Sequence, residues 1–185
     1  TVTNFLRKQG FQVVDADAAV HQLQKPGGRL FEALVQHFGQ KIILENGELN
    51  RPLLANLIFS NPEEQEWSKR IQGKIIREEL ATLRDQFAQT EEIFFMDIPL
   101  LFEQNYVSWF DETWLVYVDR DVQVERLMKR DNLSKDEAES RLAAQWPLEK
   151  KKDLASHVLN NNGNQDQLLT QVVSLLEGGK QDDRD

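Results

Sequence analysis

Ile93-Phe94-Phe95-Met96 is apolar at four consecutive positions and ends at Asp97. A strand with one wet face alternates apolar and polar residues, whereas a strand covered on both faces is apolar throughout. This run therefore predicts a parallel sheet flanked by helices. Pro99 has no N–H to give to a ladder, so the chain is expected to leave the sheet there. Three further short runs carry the same kind of signal: Phe11-Gln12-Val13-Val14, residues 113–118 and, more weakly, His157-Val158-Leu159. Helical pattern separates each from the next, which defines an α/β fold.

The helical pattern is densest between the first two strands. Leu30, Phe31, Leu34, Val35 and Phe38 form one stripe closed by Gly39, and Leu53, Leu54, Leu57 and Ile58 form another. A third opens with Asn61 as N-cap and Pro62 in the first turn, then runs through Trp67, Ile71, Ile75, Leu80, Leu83 and Phe87. An insertion of this size exceeds a simple crossover, so residues 18–87 are predicted to form a helical lobe that holds a substrate. Later, Ser134-Lys135-Asp136-Glu137 reads as a capping box between two arginine-bearing helices, a predicted lid over residues 120–152. The remaining pieces, about 1–17, 88–119 and 153–177, make the core of a single domain spanning 1–185. Residues 178–185 read as a frayed polar tail.

Charge narrows the partners. The chain holds 22 basic and 31 acidic residues, a net charge of −9, which opposes binding to nucleic acid or to an anionic membrane. Yet residues 120–152 carry nine basic and seven acidic side chains, a positive island suited to a small anionic ligand. Its other reading is a solvated helical face of mixed charge. Cysteine is absent, which removes disulfides, thiolate metal sites and a cysteine nucleophile. Three scattered histidines make no zinc site. No stretch has the length of an apolar membrane span and the first residues lack signal-peptide character, so a soluble cytoplasmic protein is expected.

The candidate chemistry sits at strand ends. Asp15-Ala16-Asp17 follows the first strand, at the sheet edge where α/β proteins bind ligands. Were strand geometry to persist, both carboxylates would share a face, and one could accept the proton of an attacking hydroxyl. Equally, Asp17 could cap a helix from Ala18 to Leu23. Asp97 ends a buried strand in the manner of a carboxylate that orients Mg²⁺ through water. Arg126 and Arg130 lie four apart on one helix, and Arg141 and Gln145 on the next. Guanidinium forks match phosphate oxygens, although Glu125, Asp131 or Glu137 could pair with these arginines instead.

Taken in order, these segments resemble the dephospho-CoA kinase family over nearly the full length. The matching pieces are Gly10-Phe11 through Val13-Val14-Asp15-Ala16-Asp17, Gly47-Glu48-Leu49-Asn50-Arg51, Asp97-Ile98-Pro99-Leu100-Leu101-Phe102-Glu103, Arg126 with Arg130-Asp131, Arg141 with Gln145, and Asn160-Asn161. The resemblance implies a P-loop NTPase-like three-layer α/β/α fold with a five-stranded parallel sheet, a helical substrate lobe and a helical lid. It implies ATP and Mg²⁺, and transfer of the γ-phosphoryl of ATP to the ribose 3′-hydroxyl of dephospho-CoA. By similarity Asp15 is the general base, Asp17, Arg51, Pro99 and Leu100 meet the acceptor, and Arg126, Arg130, Arg141 and Asn161 meet the nucleotide. The rival readings are another P-loop kinase for a small molecule or nucleoside, and a non-catalytic nucleotide- or CoA-binding module.

Three departures stand out. No GxxxxGK[ST] occurs, although the resemblance places one just ahead of a segment like Thr1-Val2-Thr3-Asn4-Phe5-Leu6, and the helical pattern there opens without a cap. The expectation is that the loop lies upstream of these residues and that the chain without it is a poor kinase. Gln72-Gly73 replaces a His-Pro pair that the family often shows, and Ser156-His157 stands where Ala-Asp is usual.

Overall fold

The computed structural model describes residues 1–182, with side chains described as far as Gly178. In chain order the elements are α1 (Val2–Lys8), β1 (Gln12–Asp15), α2 (Ala16–Leu23), α3 (Arg29–Phe38), α4 (Arg51–Phe59), α5 (Pro62–Thr90), β2 (Phe94–Asp97), β3 (Trp114–Tyr117), α6 (Arg120–Asp131), α7 (Lys135–Ala143), α8 (Leu148–Lys152), β4 (His157–Asn160) and α9 (Gln165–Asp182). Every strand anticipated from an apolar run is present, and all pair in parallel. β1 runs beside β2 from Gln12 opposite Phe94 to Asp15 opposite Asp97. β3 runs beside β4 from Trp114 opposite His157 to Tyr117 opposite Asn160.

The pairing differs from the implied five-stranded sheet: the described residues form two two-stranded sheets. Coverage differs with it. Phe94, Phe95 and Met96 are half-buried and Ile93 is exposed, although continuous apolarity predicts strands buried on both faces. A strand with one ladder neighbour has fewer flanking side chains to exclude water from it.

The chain divides into two compact units, one of Gln9–Ile98 and the other of Thr1–Lys8 with Pro99–Asp185. In the first, Gly10 at φ +94° makes the turn that an L side chain rarely adopts. α4 and α5 then start where the sequence provides a cap. The Asn50 side chain accepts from the Leu53 N–H at 3.1 Å and the Asn61 side chain from the Glu63 N–H at 2.9 Å. Leu30, Phe31, Leu34 and Phe38 of α3 are all buried, packing with Leu23, Ile42, Leu49 and Leu54 and covered by Trp67, Ile75 and Ile76 of α5. Gly28 allows the close approach of α2 and α3, because a Cβ there would stand 2.3 Å from the Leu23 carbonyl oxygen. α5 runs through Gly73 without a break for 29 residues.

In the second unit, β3 and β4 begin with a reciprocal tie. The Thr113 N–H donates to the Ser156 hydroxyl at 3.0 Å, and the Ser156 N–H to the Thr113 hydroxyl at 3.1 Å. Leu159, Leu168 and Val172 bury α9 against β4. α9 continues to Asp182, beyond Gly178-Gly179 where composition predicts a frayed tail; glycine costs a helix about 1 kcal/mol but does not stop it, and no proline follows. The last part of that predicted tail, 183–185, lies outside the described residues.

Candidate functional site

Parallel register brings two of the candidate carboxylates together. Asp15 and Asp97 are ladder partners, so they end neighbouring strands at the same level. β1 ends at Asp15 and α2 starts at Ala16, so strand geometry does not reach Asp17, and that overturns the shared-face reading of Asp15 and Asp17. The cap also moves. Asp15, not Asp17, caps the helix, its Oδ1 accepting the Ala18 N–H at 3.0 Å, while Asp17 is an exposed first-turn residue. A buried Ala16 between the two explains the change: its small side chain turns inward as the first helical residue.

Arg51, the first residue of α4, extends into a concavity of about 150 Å³ that it lines with His21, Gln24, Lys25 and Glu48. Its Nη1 donates to Gln24 Oε1 at 2.6 Å, and Glu48 is engaged by the Asn46 amide at 3.1 Å. Lys25 and Arg51 thus share one small basin with His21 and Glu48. Asp15, Asp97 and Arg51 all belong to the unit Gln9–Ile98.

Pro99 and Leu100 are exposed at the start of the other unit, in the turn after β2. That turn is fixed by the Gln104 N–H donating to the Leu100 carbonyl at 2.9 Å and the Tyr106 N–H to the Leu101 carbonyl at 2.9 Å. The arginine-bearing pair forms as the capping box predicts: Ser134 and Glu137 cap α7 reciprocally, and α6 closes on Asn132 in the left-handed region. Val124, Leu127 and Ala138 are the buried residues of this hairpin. Arg130 makes a two-pronged contact with Asp131, Nε to Oδ1 at 2.7 Å and Nη2 to Oδ2 at 3.0 Å, and Arg141 closes on the same Oδ2. Both guanidinium groups stay largely exposed, at 72% and 60%. The hydrogen bond from Arg130 and the charges of both arginines outweigh partial burial and hold Asp131 below its ordinary 3.8.

Arg126 points elsewhere. It donates to the Asn161 carbonyl at 2.8 Å and reaches the Gly163 carbonyl at 3.5 Å, tying α6 to the loop after β4. The same loop holds the start of α6, since Asn162 Oδ1 accepts the Asp119 N–H at 2.9 Å. The single Tyr117 hydroxyl proton is shared between Glu149 and Asp119, the latter at 3.0 Å, and these two carboxylates push its pKa up.

Sequence reasoning missed one polar cluster. Lys151 is only 3% exposed, whereas the Lys150-Lys151-Lys152 run reads as a solvated face. Its ammonium meets Glu103 Oε1 at 2.8 Å, the Pro99 carbonyl at 3.1 Å and Gln145 Oε1 at 3.5 Å. Burial raises the Glu103 carboxyl, but hydrogen bonds from Lys151 and the Trp146 N–H, with the lysine charge, leave it below 4.5. The signal was Glu103 itself, a charge closing the apolar Pro99-Leu100-Leu101-Phe102 string. Among the described residues no group of three or more His, Cys, Asp or Glu gathers as a metal cage, and no helix is long and apolar enough to cross a membrane.

Parallel strands ending in carboxylates, with a helical hairpin presenting arginines, are the parts of a P-loop kinase fold. The chain superimposes on a crystal structure from Thermus thermophilus with a TM-score of 0.75 at 29% identity, covering 96% of this chain and 89% of that one. A dephospho-CoA kinase structure from Campylobacter jejuni gives a TM-score of 0.71 at 21% identity, covering 95% and 88%, and supports the fold alone. The family model for dephospho-CoA kinase matches residues 1–167, and the chain belongs to that family. A dephospho-CoA kinase of Streptococcus pneumoniae serotype 4 is 88% identical over 185 residues, all of this chain and 92% of the relative. One from Streptococcus agalactiae serotype III is 52% identical over 177 residues, 96% of this chain and 91% of the relative.

Proposed function

We propose that this protein transfers the γ-phosphoryl group of ATP to the ribose 3′-hydroxyl of dephospho-CoA, releasing CoA and ADP, as the last step of coenzyme A biosynthesis in the cytoplasm. Membership of the family carries the reading, and the placement of Asp15 at the end of β1 beside Asp97 gives it a chemical centre. Phosphoryl transfer asks the protein for positioning and charge neutralisation more than for covalent work.

In this reading Asp15 is the base. The Ala18 N–H fixes its Oδ1, and Oδ2, with no hydrogen-bond partner among the described residues, is left to accept from the attacking hydroxyl. Arg51 meets an anionic part of the acceptor, and Asp17, Pro99 and Leu100 are taken as further acceptor-binding residues. Arg130 and Arg141 exchange Asp131 for phosphate oxygens when ATP binds, Arg126 holds the hairpin to its loop, and Asn161 lies by the adenine. Hard carboxylate oxygens suit Mg²⁺, and Asp97 beside Asp15 meets that need for an ion held mainly by the ATP phosphates, whose charge it would offset.

The backbone cradle and lysine of a GxxxxGK[ST] loop are not among these 185 residues, so by themselves they are expected to turn over ATP weakly. The test measures ADP and CoA formation with dephospho-CoA, adenylate and shikimate as acceptors, with and without a phosphate-binding loop joined ahead of Thr1. Dephospho-CoA should be the preferred acceptor and the joined loop should raise the rate. Preference for adenylate or shikimate would overturn the acceptor assignment, and full activity without the added loop would overturn the expected weakness.

A further inference from the structure

An ionised lysine at 3% exposure is expensive unless every N–H finds an acceptor. Lys151 has three protons and three acceptors: Glu103 Oε1, the Pro99 carbonyl and Gln145 Oε1. These acceptors lie on different stretches of chain, the turn after β2 and the link between α7 and α8. Glu103 Oε1 adds a second tie to that link by accepting the Trp146 N–H at 2.8 Å. The lysines on either side are spent otherwise, Lys150 over the Trp146 ring and Lys152 over the Tyr117 ring. Glu103 Oε2 is buried without a hydrogen-bond partner, so the cluster keeps a charge pair where an apolar pair would leave no orphan.

The link 144–147 is the return leg of the α6–α7 hairpin. Gln145 lies just past the C-cap Ala144 of α7, whose last turn carries Arg141, so whatever fixes Gln145 and Trp146 fixes the end of the helix from which Arg141 projects. The outward leg is already fixed by Asn162 and by Arg126, and the hairpin has only three buried residues of its own. We propose that Lys151 and Glu103 are positioning residues that anchor the return leg and thereby set where Arg141 stands during phosphoryl transfer. This rests on the proposed nucleotide-side role of the hairpin.

The test uses the chain with a phosphate-binding loop joined ahead of Thr1, carrying Lys151→Met, Glu103→Gln or both, read by melting temperature and by kcat and KM for both substrates. Lys151→Met strands a buried carboxylate and should melt earlier. The double variant removes both charges at similar volume, so its melting temperature should recover to near wild type. Its kcat should stay down about 10-fold or more, because small displacements of a catalytic group are costly, with KM for dephospho-CoA within about 2-fold. Recovery of melting temperature and kcat together would overturn the proposal. Should the double variant not fold, amide exchange at 144–146 in Glu103→Gln decides. That variant keeps an acceptor for the Trp146 N–H, and faster exchange there with lowered kcat supports anchoring, while wild-type exchange overturns it. A wild-type enzyme that makes no CoA from dephospho-CoA would instead defeat the functional reading on which the proposal stands.

Discussion

The helical lobe and the arginine hairpin are built by opposite means. In the lobe, eight residues from Leu23 to Leu54 are buried in one continuous cluster, with Leu30, Leu34 and Ile42 fully enclosed. The hairpin encloses Val124, Leu127 and Ala138, and its remaining order comes from a capping box, a shared carboxylate and ties to neighbouring loops. Apolar burial is non-directional and cumulative, so the lobe resists local opening. Polar ties on an exposed hairpin can be exchanged one at a time, which suits the lid role proposed for it.

The sharpest way to break this contrast is to cut into both cores. Leu34→Ala should destabilise the lobe by about 3–5 kcal/mol, whereas Leu127→Ala should cost about 2 kcal/mol, because a small, partly wet cluster collapses more readily around a void. Urea denaturation followed by hydrogen exchange of each segment checks the difference, and equal losses would erase it. Arg141→Ala should then lower kcat by about 10-fold at little cost in stability, since exposed ion pairs contribute about 0–1 kcal/mol. Steady-state kinetics beside a thermal melt separates the two effects. Ser134→Ala should cost about 1 kcal/mol, visible as faster exchange in α7, and Ser134→Asp should restore most of it.

The mildest probe is acid. Glu103 sits below its ordinary 4.5, Asp131 below its ordinary 3.8, and Glu137 is lowered by hydrogen bonds from the Ser134 hydroxyl and N–H. A carboxylate depressed in the folded state stabilises fully above its unfolded pKa and loses that contribution as pH falls through the folded value. Amide exchange in 120–152 should therefore accelerate relative to α3 as pH drops below the ordinary carboxylate range, once corrected for the intrinsic pH dependence of exchange. Glu103→Gln should blunt that response at 144–146.

Much of this was legible in the sequence because it is local. Asn61-Pro62 and Ser134 through Glu137 begin helices by chemistry contained within four residues, and the runs at 11–14, 93–97 and 113–118 give strands within a residue or so of those bounds. The cap at Asp15 was misplaced to Asp17 by two residues, because the choice turned on whether Ala16 joins the strand or the helix, and propensity alone does not decide that. Lys151 was unreadable for a different reason. Its burial depends on Glu103, Pro99 and Gln145, and nothing in a triple-lysine run distinguishes the middle member. The register that puts Asp15 level with Asp97 was likewise invisible, since pairing between strands some eighty residues apart leaves no mark in either one. The tail beyond Gly178 was read from composition, which records glycine's cost to a helix but not its continuation.

The centre of the account is a carboxylate held by a helix N–H so that its other oxygen meets the acceptor hydroxyl. Asp15→Asn keeps the size and the cap acceptor and removes the basic oxygen, so the rate of CoA formation at saturating ATP and dephospho-CoA is the most direct measure of it. A fall in kcat of about 10²-fold or more, with dephospho-CoA still bound at near wild-type affinity, is the predicted result. Turnover within a few-fold of wild type would contradict it and move the proton acceptor elsewhere.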